Sequence, residues 1–238
     1  MFIIVVLKLN LMKLSIIIPV YNEEKTIAEL LKKVEGINLD IQKEIVVVDD
    51  GSKDKTIDIL KSFKNIELVE HEKNQGKGAA IRTGIKHATG DIILIQDADL
   101  EYDPNDYLSL IQPILDGKTE VVYGSRRLKK ENKQHSGISF YIGGIGMTIL
   151  TNLLYNAKIT DEPTCYKVFK SEVIKNLNLK CKRFEFCPEV TAKVIKKGYK
   201  IYEVPISYYP RHKNEGKKIN WKDGIEGAWT LLKYRFIN

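Results

Sequence analysis

The sequence predicts an α/β fold in which a mostly parallel central sheet is flanked by helices. Three observations predict it. The apolar runs at 14–20, 45–48 and 92–95 are near-continuous rather than alternating, with Ser15 as the one polar residue, the pattern of strands buried on both faces. Helical patterns lie between them, and strand–helix alternation implies right-handed crossovers between parallel strands. Each run also ends in polar residues, where parallel sheets place their ligands.

The first strand, 14–20, leads into Tyr21, Asn22 and Glu23, and a helical pattern follows at 26–34. The second strand runs from Glu44 into Asp49-Asp50-Gly51-Ser52, before a helix at 55–63. A short strand at 66–70 precedes Gly76-Lys77-Gly78 and a helix at 78–87. The Gly-Lys-Gly run lacks the spacing of a nucleotide-hydrolase phosphate loop, so its glycines are read as giving a ligand access to the backbone. The strand at 92–95 exits into Gln96-Asp97-Ala98-Asp99-Leu100-Glu101. Alternate residues of an extended segment point the same way, so Asp97 and Asp99 can face one ligand. No Lys or Arg lies between Asp91 and Lys118, so nothing local neutralises the pair. A divalent cation is the expected relief, with open positions for phosphate oxygens.

The segment 134–157 carries no Asp, Glu, Lys or Arg and is long enough to test as a membrane span. Gly143, Gly144, Gly146, Thr148, Thr151 and Asn152 make it too polar. Ile138, Tyr141, Ile142, Ile145, Ile149, Leu153 and Leu154 approximate one helical face. That face suits either a core helix or a helix lying in a membrane interface. Residues 210–220 mix Arg, His, Lys, Asn and Gly without apolar period and read as a loop closing over the site.

Size and charge narrow the function classes. A chain of 238 residues suits one domain, here 13–236, with 1–12 as an upstream extension. The net charge of +7 is uneven: the half to residue 119 is acidic and the half from 120 is basic. The acidic half is read as holding nucleotide and metal, and the basic half as meeting an anionic acceptor or membrane. No nucleic-acid-binding module is visible, so nucleic acid is excluded as a partner. Cys165, Cys181 and Cys187 give no zinc spacing and are read as reduced thiols. The four His residues show no paired ligand spacing, and none is assigned to catalysis.

Ile17-Ile18-Pro19-Val20-Tyr21-Asn22-Glu23, Val47-Val48-Asp49-Asp50-Gly51-Ser52, Asn74-Gln75-Gly76-Lys77-Gly78 and Asp97-Ala98-Asp99 occur in this order. Together they resemble the inverting family 2 glycosyltransferases, which have the nucleotide-sugar-binding GT-A fold. Tyr123-Gly124-Ser125-Arg126-Arg127, the stretch from Asp161 to Phe169, and Pro205 to Arg211 resemble the branch containing dolichyl-phosphate mannose synthase and other polyprenyl-phosphate sugar transferases. The resemblance implies that Pro19, Tyr21, Glu23, Asp50, Asp97 and Ala98 bind the nucleotide sugar, with Lys217 and Lys218 at its phosphates. It implies Mg²⁺ or Mn²⁺ on Asp99, Asp97 and Glu101, the last replacing a Gln common in the branch. Asp97, Asp99, Arg126 and Arg211 are the expected catalytic groups.

The implied reaction moves a sugar, mannose or glucose, from a nucleoside diphosphate to dolichyl or polyprenyl phosphate. The expected place is the cytosolic membrane face, bound peripherally or through a membrane partner subunit. A lipid phosphate is already an anion and needs no strong base. A sugar hydroxyl would need one, for which Asp161, Glu162, Glu185 and Glu189 are candidates. Transfer to a sugar hydroxyl is therefore the alternative, and a non-catalytic nucleotide-sugar scaffold the alternative of another class.

Overall fold

A computed structural model describes residues 12–132, 137–211 and 220–237. The expectations for 1–11, for residues 212–219 of the closing loop, and so for Lys217 and Lys218, fall outside the described residues. The strands are β1 (Lys13–Val20), β2 (Gln42–Asp49), β3 (Glu67–Glu70), β4 (Ile92–Ile95), β5 (Val121–Ser125), β6 (Lys167–Lys170) and β7 (Ile201–Pro205). The helices are α1 (Ile27–Gly36), α2 (Thr56–Lys61), α3 (Lys77–His87), α4 (Tyr107–Leu115), α5 (Ile138–Tyr155), α6 (Ser171–Lys175), α7 (Phe186–Lys196) and α8 (Trp221–Phe236).

One sheet takes strands from both halves of the chain, in the order β3-β2-β1-β4-β6-β5-β7. The β1–β2, β1–β4, β2–β3 and β5–β7 pairs are parallel, while β6 is antiparallel to both of its neighbours. Ile17 pairs with Val46 on one side and Ile95 on the other, and all three are fully buried. The near-continuous apolar runs are thus the centre of a sheet covered on both faces. Because β1, β2, β4, β5 and β7 point one way, their carboxyl ends share an edge. Reversed β6 begins at that edge, so the segment from Asp161 to Cys165 arrives there too.

Helix α5 differs from the core reading. Tyr141, Ile142, Ile149 and Leu153 are exposed, whereas Thr148 and Thr151 are buried. Both buried threonines donate to carbonyls one turn back, Gly144 and Met147, so their hydroxyls need no solvent. Helix α8 packs beside α5: Leu231 and Tyr234 meet Met147, Leu150 and Tyr155, and the Tyr155 hydroxyl donates to the Leu231 carbonyl at 2.6 Å. A capping box starts α8, with the Asn220 side chain accepting from Lys222 N and Asp223 accepting from Asn220 N. A stripe along it, Trp221, Ile225, Trp229, Leu232 and Phe236, is exposed. Among the described residues no helix is long and apolar enough to cross a membrane.

Candidate functional site

A cleft of about 1480 Å³ lies over the carboxyl edge of the sheet, roofed by parts of α5 and α8. Pro19, Tyr21, Glu23, Asp50, Asp97, Ala98, Asp99, Glu101, Arg126 and Arg211 all line it. These are the site residues expected from sequence that lie within the described part of the chain.

The acidic pole follows β1 and β4. Leu100 has φ +61°, and this turn lets Asp99 Oδ1 accept from Glu101 N at 3.2 Å. The pair is not left to a metal alone, contrary to the expectation from local sequence. Lys77, the first residue of α3, sits 2.5 Å from Asp97. The Arg211 guanidinium donates to Asp99 Oδ2 at 3.0 Å and to Glu23 Oε2 at 3.2 Å, and its Nε lies 4.0 Å from Glu101. Glu101 also accepts from Arg211 N and the Tyr208 hydroxyl, both at 2.9 Å. Four carboxylates thus face two cations. Burial, with Asp97 and Glu101 nearby, pushes the Asp99 carboxyl up to about 7 despite Arg211. Surplus negative charge of this kind suits a divalent cation among hard oxygen donors. Among the described residues, no three acidic, His or Cys side chains are yet gathered around one metal position.

The nucleoside side is held by the strand-to-helix turns. Asn22 and Ser52 cross-link the β1 and β2 exits, with Asn22 N donating to Ser52 Oγ at 2.9 Å and Lys53 N to Asn22 Oδ1 at 2.7 Å. Asp49 Oδ2 accepts from Ser52 N and so braces the turn that leads into α2. Asp50 reaches the cleft wall, but its carboxylate accepts from Gln75 N at 2.9 Å and Gly76 N at 2.7 Å. Its Oδ1 also lies 2.7 Å from His71 Nδ1, and His71 Nε2 is 2.9 Å from Thr83 Oγ1. His71 had no assigned role in the sequence, since its partners lie on other elements. Asp50 and His71 therefore fasten the loop that delivers Lys77.

On the basic side, Arg126 spends one edge of its guanidinium on Asp161, through two bonds of 2.7 Å. Burial works to raise Asp161, but Arg126 holds it below the usual carboxylate range. Arg126 also stacks over the Tyr208 ring at 5.0 Å. Of the other base candidates, Glu185 accepts from Lys182 N and Arg183 N, and Glu189 from Lys180 N, Cys181 N and Lys193. Both are structural anchors. Glu162 is fully buried, its Oε2 has no hydrogen-bond partner, and burial pushes its carboxyl up. All three cysteines are free thiols, and burial pushes each of them up.

Residues 15–177 match the family described as Glycosyl transferase family 2. A Methanococcus voltae protein described as UDP-N-acetylglucosamine–dolichyl-phosphate N-acetylglucosaminyltransferase is 33% identical, covering 91% of this chain and 94% of that one. A Trichomonas vaginalis dolichyl-phosphate beta-glucosyltransferase is 32% identical, over 92% of this chain and 72% of that one. A Pyrococcus furiosus dolichol-phosphate mannosyltransferase is 30% identical, over 87% and 59%. In three dimensions the chain resembles glucosyl-3-phosphoglycerate synthase from Mycobacterium tuberculosis, crystallised with Mn²⁺, UDP and phosphoglyceric acid. The TM-score is 0.74 at 18% identity, covering 95% of this chain and 80% of that one. The shared fold is the GT-A fold.

Proposed function

This chain belongs to glycosyl transferase family 2, and from that premise we propose that it moves a sugar from a nucleoside diphosphate to a polyprenyl phosphate such as dolichyl phosphate. The observation that carries the reading is the convergence of Glu23, Asp97, Asp99, Glu101, Lys77 and Arg211 in one cleft at the carboxyl edge of the sheet. Such a site can hold both a diphosphate and its cation. Mannose, glucose and N-acetylglucosamine are the candidate sugars, since the named relatives handle all three.

Asp99 and Glu101 are the residues that would hold Mg²⁺ or Mn²⁺, with Asp97 beside them. The ion would offset charge on the departing diphosphate as a Lewis acid. Tyr21, Glu23, Pro19 and Ala98 form the wall for the nucleoside, where Glu23 can accept from ribose or base donors. Asp50 acts on that wall through the 75–76 loop. Arg211 turns from the carboxylates to the diphosphate as charge develops there, a use of binding energy realised in the transition state. Arg126, braced by Asp161 and Tyr208, presents its remaining edge to phosphate. An anionic acceptor needs aim and charge neutralisation rather than proton removal. That agrees with the candidate bases Asp161, Glu185 and Glu189, which are engaged; Glu162 borders the cleft but exposes no surface to solvent.

The exposed stripe of α8 and the exposed residues of α5 support peripheral binding at the cytosolic membrane face. Two tryptophans with Lys222, Lys233 and Arg235 on one helix suit a bilayer interface. One experiment tests both parts. GDP-mannose, UDP-glucose and UDP-N-acetylglucosamine are offered with Mn²⁺ and a polyprenyl phosphate carried in anionic vesicles. One labelled donor should yield lipid-extractable product, with a rate that falls as salt rises. Label transferred only to free glycan hydroxyls would sink the acceptor reading. Equal rates with Trp229→Ser/Phe236→Ser on vesicle-borne acceptor would sink the membrane face.

A further inference from the structure

The two cations of the acidic pole are anchored very differently. Lys77 opens an 11-residue helix whose first turn is docked by backbone bonds, Gly78 N to Arg183 O and Ala79 N to Lys182 O, both 3.0 Å. The preceding loop is bolted by Asp50 at Gln75 N and Gly76 N. Gly76 has φ +100°, and a Cβ there would fall 2.3 Å from the Lys182 carbonyl oxygen, so only glycine lets the loop come this close. The backbone of Lys77 is therefore held in one place. Arg211 instead lies in the stretch that follows β7, outside any helix or strand. It spreads over three carboxylates, and its Nε, although buried, makes no hydrogen bond.

We propose that Lys77 is a positioning residue: it holds Asp97 in one orientation as a permanent counter-ion, so that Asp99, whose counter-ion Arg211 is exchangeable, is the carboxylate that receives the metal. The inference rests on the donor-binding reading of the cleft and divides the work between its two aspartates. With Lys77 fixed, an incoming cation meets one neutralised carboxylate and one that can be released by moving a single side chain. Without Lys77, Asp97 is free to turn onto the metal. The ion would then bind more tightly but in the wrong geometry for the diphosphate.

The test is a double-mutant cycle of Lys77→Met and Asp97→Asn, read by Mn²⁺ binding alone, UDP–Mn²⁺ binding and turnover. Lys77→Met should bind Mn²⁺ ~10-fold more tightly while kcat falls ~10- to 100-fold, the scale for partners that orient a ligand. Lys77→Arg should recover part of the turnover. The double variant should match Asp97→Asn alone, because Lys77 acts through Asp97. Unchanged or weaker Mn²⁺ binding in Lys77→Met, or additive effects in the double variant, would overturn the assignment. Should Lys77→Met melt early, Lys77→Gln carries the same comparison. A wild-type protein that binds neither probe would overturn the donor reading itself, an outcome distinct from additivity in a protein that binds both.

Discussion

At the amino-terminal edge of the sheet, Glu44 accepts from Ser15 Oγ at 2.5 Å, Thr89 N at 2.7 Å, Thr89 Oγ1 at 2.8 Å and Gly90 N at 3.1 Å, and it pairs with Lys13. At the opposite edge, Asp99 has Arg211 and one backbone donor, with Asp97 and Glu101 close by. Glu44 lies on β2 and Asp99 follows β4, the two strands that flank β1 in one sheet. Burial works against Glu44 too, but its donors lower it to about 2, whereas Asp99 is raised to about 7. A carboxylate with all its lone pairs engaged ties elements together and has nothing left for a ligand. A carboxylate crowded by its own kind stores a demand for positive charge. The first arrangement serves the fold and the second the chemistry.

The largest effect should come from the crowded edge. Asp99→Asn should lower turnover by ~10²- to 10³-fold, the scale of a lost electrostatic stabiliser. Its Tm should stay level or rise above pH 7, because the wild-type carboxylate is strained by ionising there. A variant of normal turnover, or one several degrees less stable, would erase the distinction between the two edges. Arg211→Gln comes next. It should cut kcat ~10-fold or more while changing UDP–Mn²⁺ affinity less, since its charge counts most as the diphosphate departs. Equal losses in both quantities would place Arg211 with ordinary ground-state binding.

The smallest effect on activity belongs to the satisfied edge. Glu44→Gln should leave kcat and KM unchanged but cost on the order of 1–2 kcal/mol of stability at pH 7, after allowing for solvent screening. The sign follows from a depressed carboxyl. Its contribution is complete above the unfolded value of about 4.3 and disappears as pH falls toward about 2. Urea denaturation of the two proteins should therefore diverge at pH 7 and converge near pH 2. A gap that is constant across that range would mean that Glu44 contributes by packing rather than charge.

The strands were legible because near-continuous Ile/Val runs have few other uses, and β1, β2 and β4 fall where their runs lie. Asp97 and Asp99 were legible for a related reason, as carboxylates at a strand exit. What opposes them was not. Lys77 lies twenty residues before Asp97, on a helix, and Arg211 lies more than a hundred after Asp99, beyond β7. Scanning the sequence for a local cation could not find either one, because the sheet brings them in from other elements. The antiparallel β6 was also hidden, since a four-residue strand has too short a period to show its direction. In sequence, helix α5 stands between two readings for a different reason. Apolar residues at helical spacing indicate a face, but not whether protein or solvent lies against it.

That reversed strand has a consequence for how the molecule comes into being. Parallel β1–β4 can assemble from neighbouring segments, but β6 closes between β4 and β5, where Ile93 meets Phe169 and Val121 meets the same residue. The contact with β4 spans some seventy residues of chain, a separation that slows folding. Until it forms, Arg126 has no Asp161 to brace it and the far wall of the cleft does not exist. A nascent chain can thus carry its acidic residues for a long interval before it has a pocket. Competence to bind needs β6 in place between β4 and β5, and then the later segments that bring Arg211 and α8 to the cleft.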